Sequence, residues 1–133
     1  MDTPLIRVLL VDDDEDDYVM TRDMLAELGR GAFLLDWVSS YEEARGAVTR
    51  GEHDLYLLDY RLGERSGLDL LREAGGEGRG APMILLTGQG GDEVDAEAMR
   101  AGAADYLVKG SLEAPLLGRS IRYAVGVNEN RVG

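Results

Sequence analysis

The chain has 133 residues and a formal net charge of −12, with 44% hydrophobic and 30% charged residues. At that length one hydrophobic core suffices, burying roughly two thirds of the extended chain's surface, and the charge content is too high for a membrane protein. The acidic balance opposes direct contact with nucleic acid, which needs clustered Lys and Arg. Cysteine is absent, which leaves oxygen ligands, oxygen nucleophiles and hard cations as the candidates for chemistry.

From the N-terminus, Met1, Asp2, Thr3 and Pro4 lack the basic segment of a signal peptide, and the acidic run at 12–17 interrupts the apolar stretch behind them. No apolar run approaches a membrane span, so a cytoplasmic location is expected. Short runs rich in Val, Leu and Ile stand at 5–11, 33–38, 55–58, 83–86 and 106–108. Each is too short for a buried helix and suits a strand covered on both faces. Five amphipathic segments alternate with them. The first carries Met20, Met24, Leu25 and Leu28 on one side and stops at Gly29, a C-terminal cap. The second begins at Ser39 or Ser40, each followed three residues later by a glutamate, the capping-box spacing. The third runs from Gly67 through Leu70, Leu71 and Ala74, the fourth from Asp92 through Met99 to Gly102, and the fifth from Leu112 through Leu117, Ile121 and Val125. Glycine-dense stretches at 75–80 and 88–91 fall where connections are expected, and residues 127–133 read as a tail to a core of about 5–126.

Strict alternation of strand and helix predicts one α/β domain, a doubly wound five-stranded parallel sheet with helices on both faces. Ligands of such sheets bind beyond the carboxyl ends of the strands. Asp12 and Asp13 follow the first strand, Asp59 the third, Thr87 the fourth and Lys109, the only lysine, the fifth. Three carboxylates cannot crowd together unaided: at 4 Å two unit charges repel by about 4 kcal/mol near a protein surface. One Mg²⁺ and Lys109 together would balance Asp12, Asp13 and Asp59. Mg²⁺ leaves positions open for a phosphoryl oxygen, making Asp59 a candidate nucleophile, with Lys109 and the Thr87 hydroxyl stabilising the transferring group. Gly88 would keep the backbone close to the site.

The constellation Val11-Asp12-Asp13, Leu57-Leu58-Asp59, Ser66-Gly67, Leu86-Thr87-Gly88 and Tyr106-Leu107-Val108-Lys109 resembles the receiver domains of two-component response regulators, over about 5–125. The resemblance implies a flavodoxin-like sheet of order 2-1-3-4-5. It implies that Asp59 is phosphorylated by a phosphohistidine of a histidine kinase or histidine phosphotransfer protein. Mg²⁺, with Mn²⁺ as a substitute, would be held by Asp13 directly, by Asp12 mainly through water, by Asp59 and by the backbone carbonyl of Arg61. Thr87 and Tyr106 would form a switch pair altering the face of the fourth helix, fifth strand and fifth helix. That face would meet a downstream protein, a covalently linked output domain or a second copy of the chain. The resemblance also implies a domain that would catalyse only its own phosphorylation and dephosphorylation, and that either acts alone or belongs to a longer chain. Gly110 stands where most members have a proline, commonly after a cis bond; a cis bond before a non-proline residue costs about 2.5–4 kcal/mol, so trans is expected. The loop at 60–65 also lacks the usual Met-Pro element.

Other readings compete. Asp14, Glu15, Asp16 and Asp17 read as an acidic cap on the first helix, and Asp17 stands where an EF-hand loop needs glycine. Asp12 and Asp14 match the Asp-x-Asp of an aspartate-nucleophile phosphatase of the haloacid dehalogenase type, but Glu15 and Asp16 replace its Gly-Thr. The loop at 88–91 matches no nucleotide fingerprint. His53, the only histidine, reads as a loop residue and Trp37 as packing. A degenerate receiver that serves only as a docking module is the remaining alternative.

Overall fold

Alternation along the strands decides the architecture, because successive residues of a strand point to opposite faces. The computed structural model describes residues 5–29, 31–74, 80–88 and 92–132, except the side chains of 92–94 and 127–132. In chain order the elements are β1 (Ile6–Val11), α1 (Glu15–Leu28), β2 (Phe33–Val38), α2 (Tyr41–Arg50), β3 (Leu55–Asp59), β4 (Arg61–Leu62), β5 (Arg65–Ser66), α3 (Gly67–Glu73), β6 (Met83–Thr87), α4 (Asp92–Arg100), β7 (Asp105–Val108) and α5 (Ala114–Val132). The main sheet is parallel throughout, in the order β2-β1-β3-β6-β7. Counting only its five strands, this is the flavodoxin-like order expected from the resemblance.

One face of the sheet presents Leu9, Val11, Tyr56, Leu58, Met83 and Leu85 to Ala44 and Val48 of α2, Leu70 and Leu71 of α3, and Ala98 of α4. The other presents Val8, Leu10, Leu55, Leu57, Ile84 and Leu86 to Leu25 of α1 and to Leu117 and Ile121 of α5. Every residue of β3 and β6 is buried. A fully buried Leu or Ile contributes about 1.5–3 kcal/mol, so these central strands anchor whatever stands at their carboxyl ends. The outer strand β2 departs from the expected burial on both faces. It alternates between partly buried and exposed positions because an edge strand has a neighbour on one side only.

The caps follow local chemistry. Asp14 opens α1 by accepting from the Asp16 N–H, and Gly29 closes it at φ 146°. Of the two serines before α2, Ser40 is the cap, and its hydroxyl accepts from the Glu43 N–H. The complete capping box lies at α3, where Ser66 and Asp69 exchange side-chain and backbone hydrogen bonds. No cis peptide occurs among the described residues, so Lys109–Gly110 is trans. The last helix continues to Val132, past the residue at which a tail is expected. Residues 75–79 and 89–91 of the glycine-rich connections lie outside the described residues.

Candidate functional site

Four neighbouring strands deliver polar groups to one rim. Asp12 follows β1, Asp59 ends β3, Thr87 ends β6, and Lys109 opens the short 3-10 turn after β7. Register aligns them, since Val11 pairs with Leu58, Asp59 with Leu86 and Thr87 with Val108. Asp12 is fully buried and locked from three sides. Its N–H donates to the Val38 carbonyl at 3.1 Å, its own carbonyl accepts from Trp37 Nε1 at 2.7 Å, and Oδ1 accepts from the Asp14 N–H at 3.0 Å. Trp37, stacked on Tyr18 with ring centroids 4.7 Å apart, is therefore a packing residue that also braces the first acidic loop.

Lys109 occupies the centre. Its Nζ donates to Asp17 Oδ2 at 2.6 Å and to Asp12 Oδ2 at 3.0 Å, and lies 3.0 Å from Asp59 Oδ1. One ligand oxygen from each of Asp12, Asp17 and Asp59 falls within 4.8 Å of the others. Burial pushes the Asp12 carboxyl up to about 7, against the opposing pull of the Asp14 N–H and the Lys109 ammonium. Burial likewise raises Asp59, against hydrogen bonds from Lys109, Asp12 and the Arg61 backbone N–H. For Lys109, burial favours the neutral amine, but hydrogen bonds to Asp17, Asp12 and Asp59 outweigh it and raise the ammonium above its ordinary range.

The three carboxylates and one ammonium leave a formal charge of −2, which one divalent cation would cancel. The oxygens of Asp12, Asp17 and Asp59 that lie within 4.8 Å of one another are all hard donors of the kind Mg²⁺ selects. The residues present thus fit the ion. An open cavity of about 950 Å³ lies over them, lined by Asp13, Asp14, Asp59, Arg61, Thr87 and Lys109 among others.

Asp59, Asp12 and Lys109 meet as the strand ends require, and Thr87 lines the cavity over them. Asp13 lines the same cavity but is exposed and stands outside the tight trio. Tyr106 is partly buried on the face of α2, α3 and α4 and does not line the cavity. The notable omission from the sequence reading is Asp17, grouped there with the helix cap. Asp14 is the cap and Glu15 and Asp16 stand exposed in the first turn as that reading expects, but the same turn swings Asp17 back onto Lys109. The signal was the surplus: four consecutive acidic residues where one cap needs one. Because Asp14 is engaged as a cap, the Asp-x-Asp phosphatase reading loses its second carboxylate. Gly88 lines the cavity, where a Cβ would meet nothing within 4 Å, whereas one at Gly67 would overlap the Asp59 carbonyl oxygen. His53 sits before β3 as expected, with Nε2 2.8 Å from Asp36 Oδ2.

A family model described as response regulator receiver domain matches residues 8–119. The chain belongs to that family. Among relatives of this receiver domain, the two-component response regulator PhoP of Pseudomonas aeruginosa is 37% identical over 95 residues, covering 71% of this chain and 42% of its own. The transcriptional regulatory protein QseB of Escherichia coli O157:H7 is 32% identical over 104 residues, 78% of this chain and 46% of its own. The receiver domain thus spans less than half the length of these relatives. Of solved structures, a CheY-like receiver domain protein from Methanospirillum hungatei JF-1 superposes with a TM-score of 0.82 at 25% identity, covering 96% of this chain and 99% of that one. The receiver domain of sensor histidine kinase PA1611 from Pseudomonas aeruginosa PAO1 has a magnesium ion coordinated in its active-site cleft. It superposes with a TM-score of 0.77 at 28% identity, covering 92% and 99%. No helix among the described residues is long and apolar enough to cross a membrane.

Proposed function

We propose that this receiver domain is a signalling switch that accepts a phosphoryl group on Asp59 from the phosphohistidine of a histidine kinase or histidine phosphotransfer protein. The observation that carries the reading is the position of Asp59, 6% exposed at the end of a fully buried strand, within 3.0 Å of Lys109 and inside an over-acidic cluster. An Asp59 carboxylate oxygen attacks phosphorus; the P–N bond breaks, the imidazole leaves, and an acyl phosphate remains. Lys109 shifts its ammonium from the carboxylates toward the phosphoryl oxygens, and the Thr87 hydroxyl donates to another. Asp12, Asp13, Asp59 and the Arg61 backbone carbonyl would hold Mg²⁺, or Mn²⁺ in its place, with Asp17 as a further carboxylate. When bound, the ion supplies positive charge opposite the transferring group.

Movement of Thr87 toward the phosphoryl group, with inward rotation of Tyr106, would alter the face of α4, β7 and α5. Met99 and Tyr123 are exposed on the helices of that face, which suits a downstream protein, a linked output domain or a second copy. A glycine in place of the family's usual proline would favour a degenerate docking receiver, yet Lys109 reaches the cluster with Gly110 in place. Incubation with Mg²⁺ and acetyl phosphate should add one phosphoryl group by intact mass, and Asp59→Asn should abolish it. A modified Asn variant would reassign the acceptor, and no modification of the parent would return the reading to a docking module.

A further inference from the structure

The segment after Asp59 is a hairpin that leaves the site and returns to it. Arg61 lines the cavity beside Asp59, the Tyr60 N–H donates to the Leu86 carbonyl at 2.7 Å, and the Gly67 N–H donates to the Tyr60 carbonyl at 3.0 Å. Only Arg61 with Ser66 and Leu62 with Arg65 are paired across it. A ladder that short does not hold itself in water. Its outer strand needs an external anchor.

Arg65 is that anchor. Its guanidinium carbon lies 4.0 Å from the centroid of the Tyr41 ring, and its Nη2 donates to the Tyr41 hydroxyl at 3.1 Å. Tyr41 is a fixed platform, 6% exposed at the start of α2, whose hydroxyl donates to Glu73 of α3 at 2.7 Å. Arg65 also lies 3.8 Å from Asp69 and 3.9 Å from Glu73. Arg45 shares the network by meeting Glu73 at 2.6 Å, but it touches no hairpin residue in these contacts. A planar cation stacked on a buried ring constrains direction as well as distance, which a lysine cannot reproduce.

We propose that Arg65 and Tyr41 are positioning residues for the Asp59 site, their stack holding the β4–β5 hairpin so that the Arg61 backbone faces the carboxylate cluster and sustains its affinity for a divalent cation. This rests on the reading of the cluster as a Mg²⁺ site. The consequence is that a residue on the far side of the hairpin from Asp59, making no contact with the ion, governs how well the ion is held.

Mg²⁺ titrations followed by the fluorescence of Trp37, whose indole is bonded to the Asp12 carbonyl, test it directly. Arg65→Ala should raise the Mg²⁺ Kd about tenfold, the scale seen when outer partners of a metal site are removed. Arg65→Lys should fail to restore it, Tyr41→Phe should give a smaller rise, and Arg45→Ala should leave it at the parental value. Hydrogen exchange without metal should show faster exchange at the Gly67 amide in Arg65→Ala but not in Arg45→Ala. A parental Kd in Arg65→Ala, or an equal loss in Arg45→Ala, overturns the proposal while the Mg²⁺ site stands. Failure of the parent protein to bind Mg²⁺ overturns both.

Discussion

The rim around Lys109 and the network around Tyr41 are both charge clusters of this domain, yet physical chemistry treats them oppositely. At the rim, carboxylates with 0% and 9% side-chain exposure share one ammonium, and their pKa values are pushed up. In the network, Arg45, Arg65 and Glu73 have side chains 41–49% exposed. There Glu73 is drawn below its ordinary range, first by the Tyr41 hydroxyl, then by Arg45 and Arg65. Solvent screens the second cluster and lets it relax, whereas the first is held in a charge imbalance by the strands beneath it. Imbalance at fixed positions is what a ligand can exploit; balance at a surface serves only to place backbone.

The largest expected effect comes from breaking the rim. Lys109→Ala leaves buried carboxylates without their cation and should cost about 3 kcal/mol in urea denaturation at pH 8 without metal, near the lower limit for a broken buried pair. Added Mg²⁺ should return much of that loss. Next is Gly67→Ala, whose Cβ would overlap the Asp59 carbonyl. The backbone must shift, at a cost of about 2–3 kcal/mol typical of overpacking, and Mg²⁺ affinity should fall with it.

A smaller effect follows from pH. The folded pKa of Asp12 is raised from 3.8 to about 7, so the folded state binds the proton more tightly than the unfolded chain does. Its contribution is fully present below pH 3.8 and is lost as pH rises through about 7. Metal-free protein should therefore lose stability between those values by this component, isolated as the difference from Asp12→Asn, and saturating Mg²⁺ should suppress the loss. A metal-free difference that grows with pH instead would show that Lys109 has outweighed burial. The smallest effect is expected in the network: Tyr41→Phe removes hydrogen bonds worth about 1 kcal/mol. The Tyr41 hydroxyl is raised from 10.0 to about 12, by burial first and then by Glu73. Its stabilisation should hold below pH 10 and disappear toward about 12, a fall absent from the Phe variant.

Much of this was legible in the residue order. Short, mostly apolar runs of three to seven residues separated by helical periodicity leave few arrangements other than a parallel sheet with covered faces. Polar residues placed immediately after such runs, Asp12, Asp59, Thr87 and Lys109, must then emerge at one rim. The family constellation added their roles. Less legible were the acidic run and the hairpin. Asp13, Asp14 and Asp17 look alike in sequence, and their fates differ through the angle at which the first turn of α1 leaves β1. Arg65 carried no signal at all, because its partner Tyr41 lies 24 residues away in another element.

By itself, the sequence determined the layers, the strand ends and the excess of carboxylates, since these depend on short-range periodicity and on the fixed two-residue repeat of a strand. Only the tertiary structure decided that Asp17 joins Asp12 and Asp59 around Lys109 while Asp13 faces solvent, and that Arg65 rests on Tyr41. Those outcomes turn on distances between elements far apart in the chain, which no local propensity encodes.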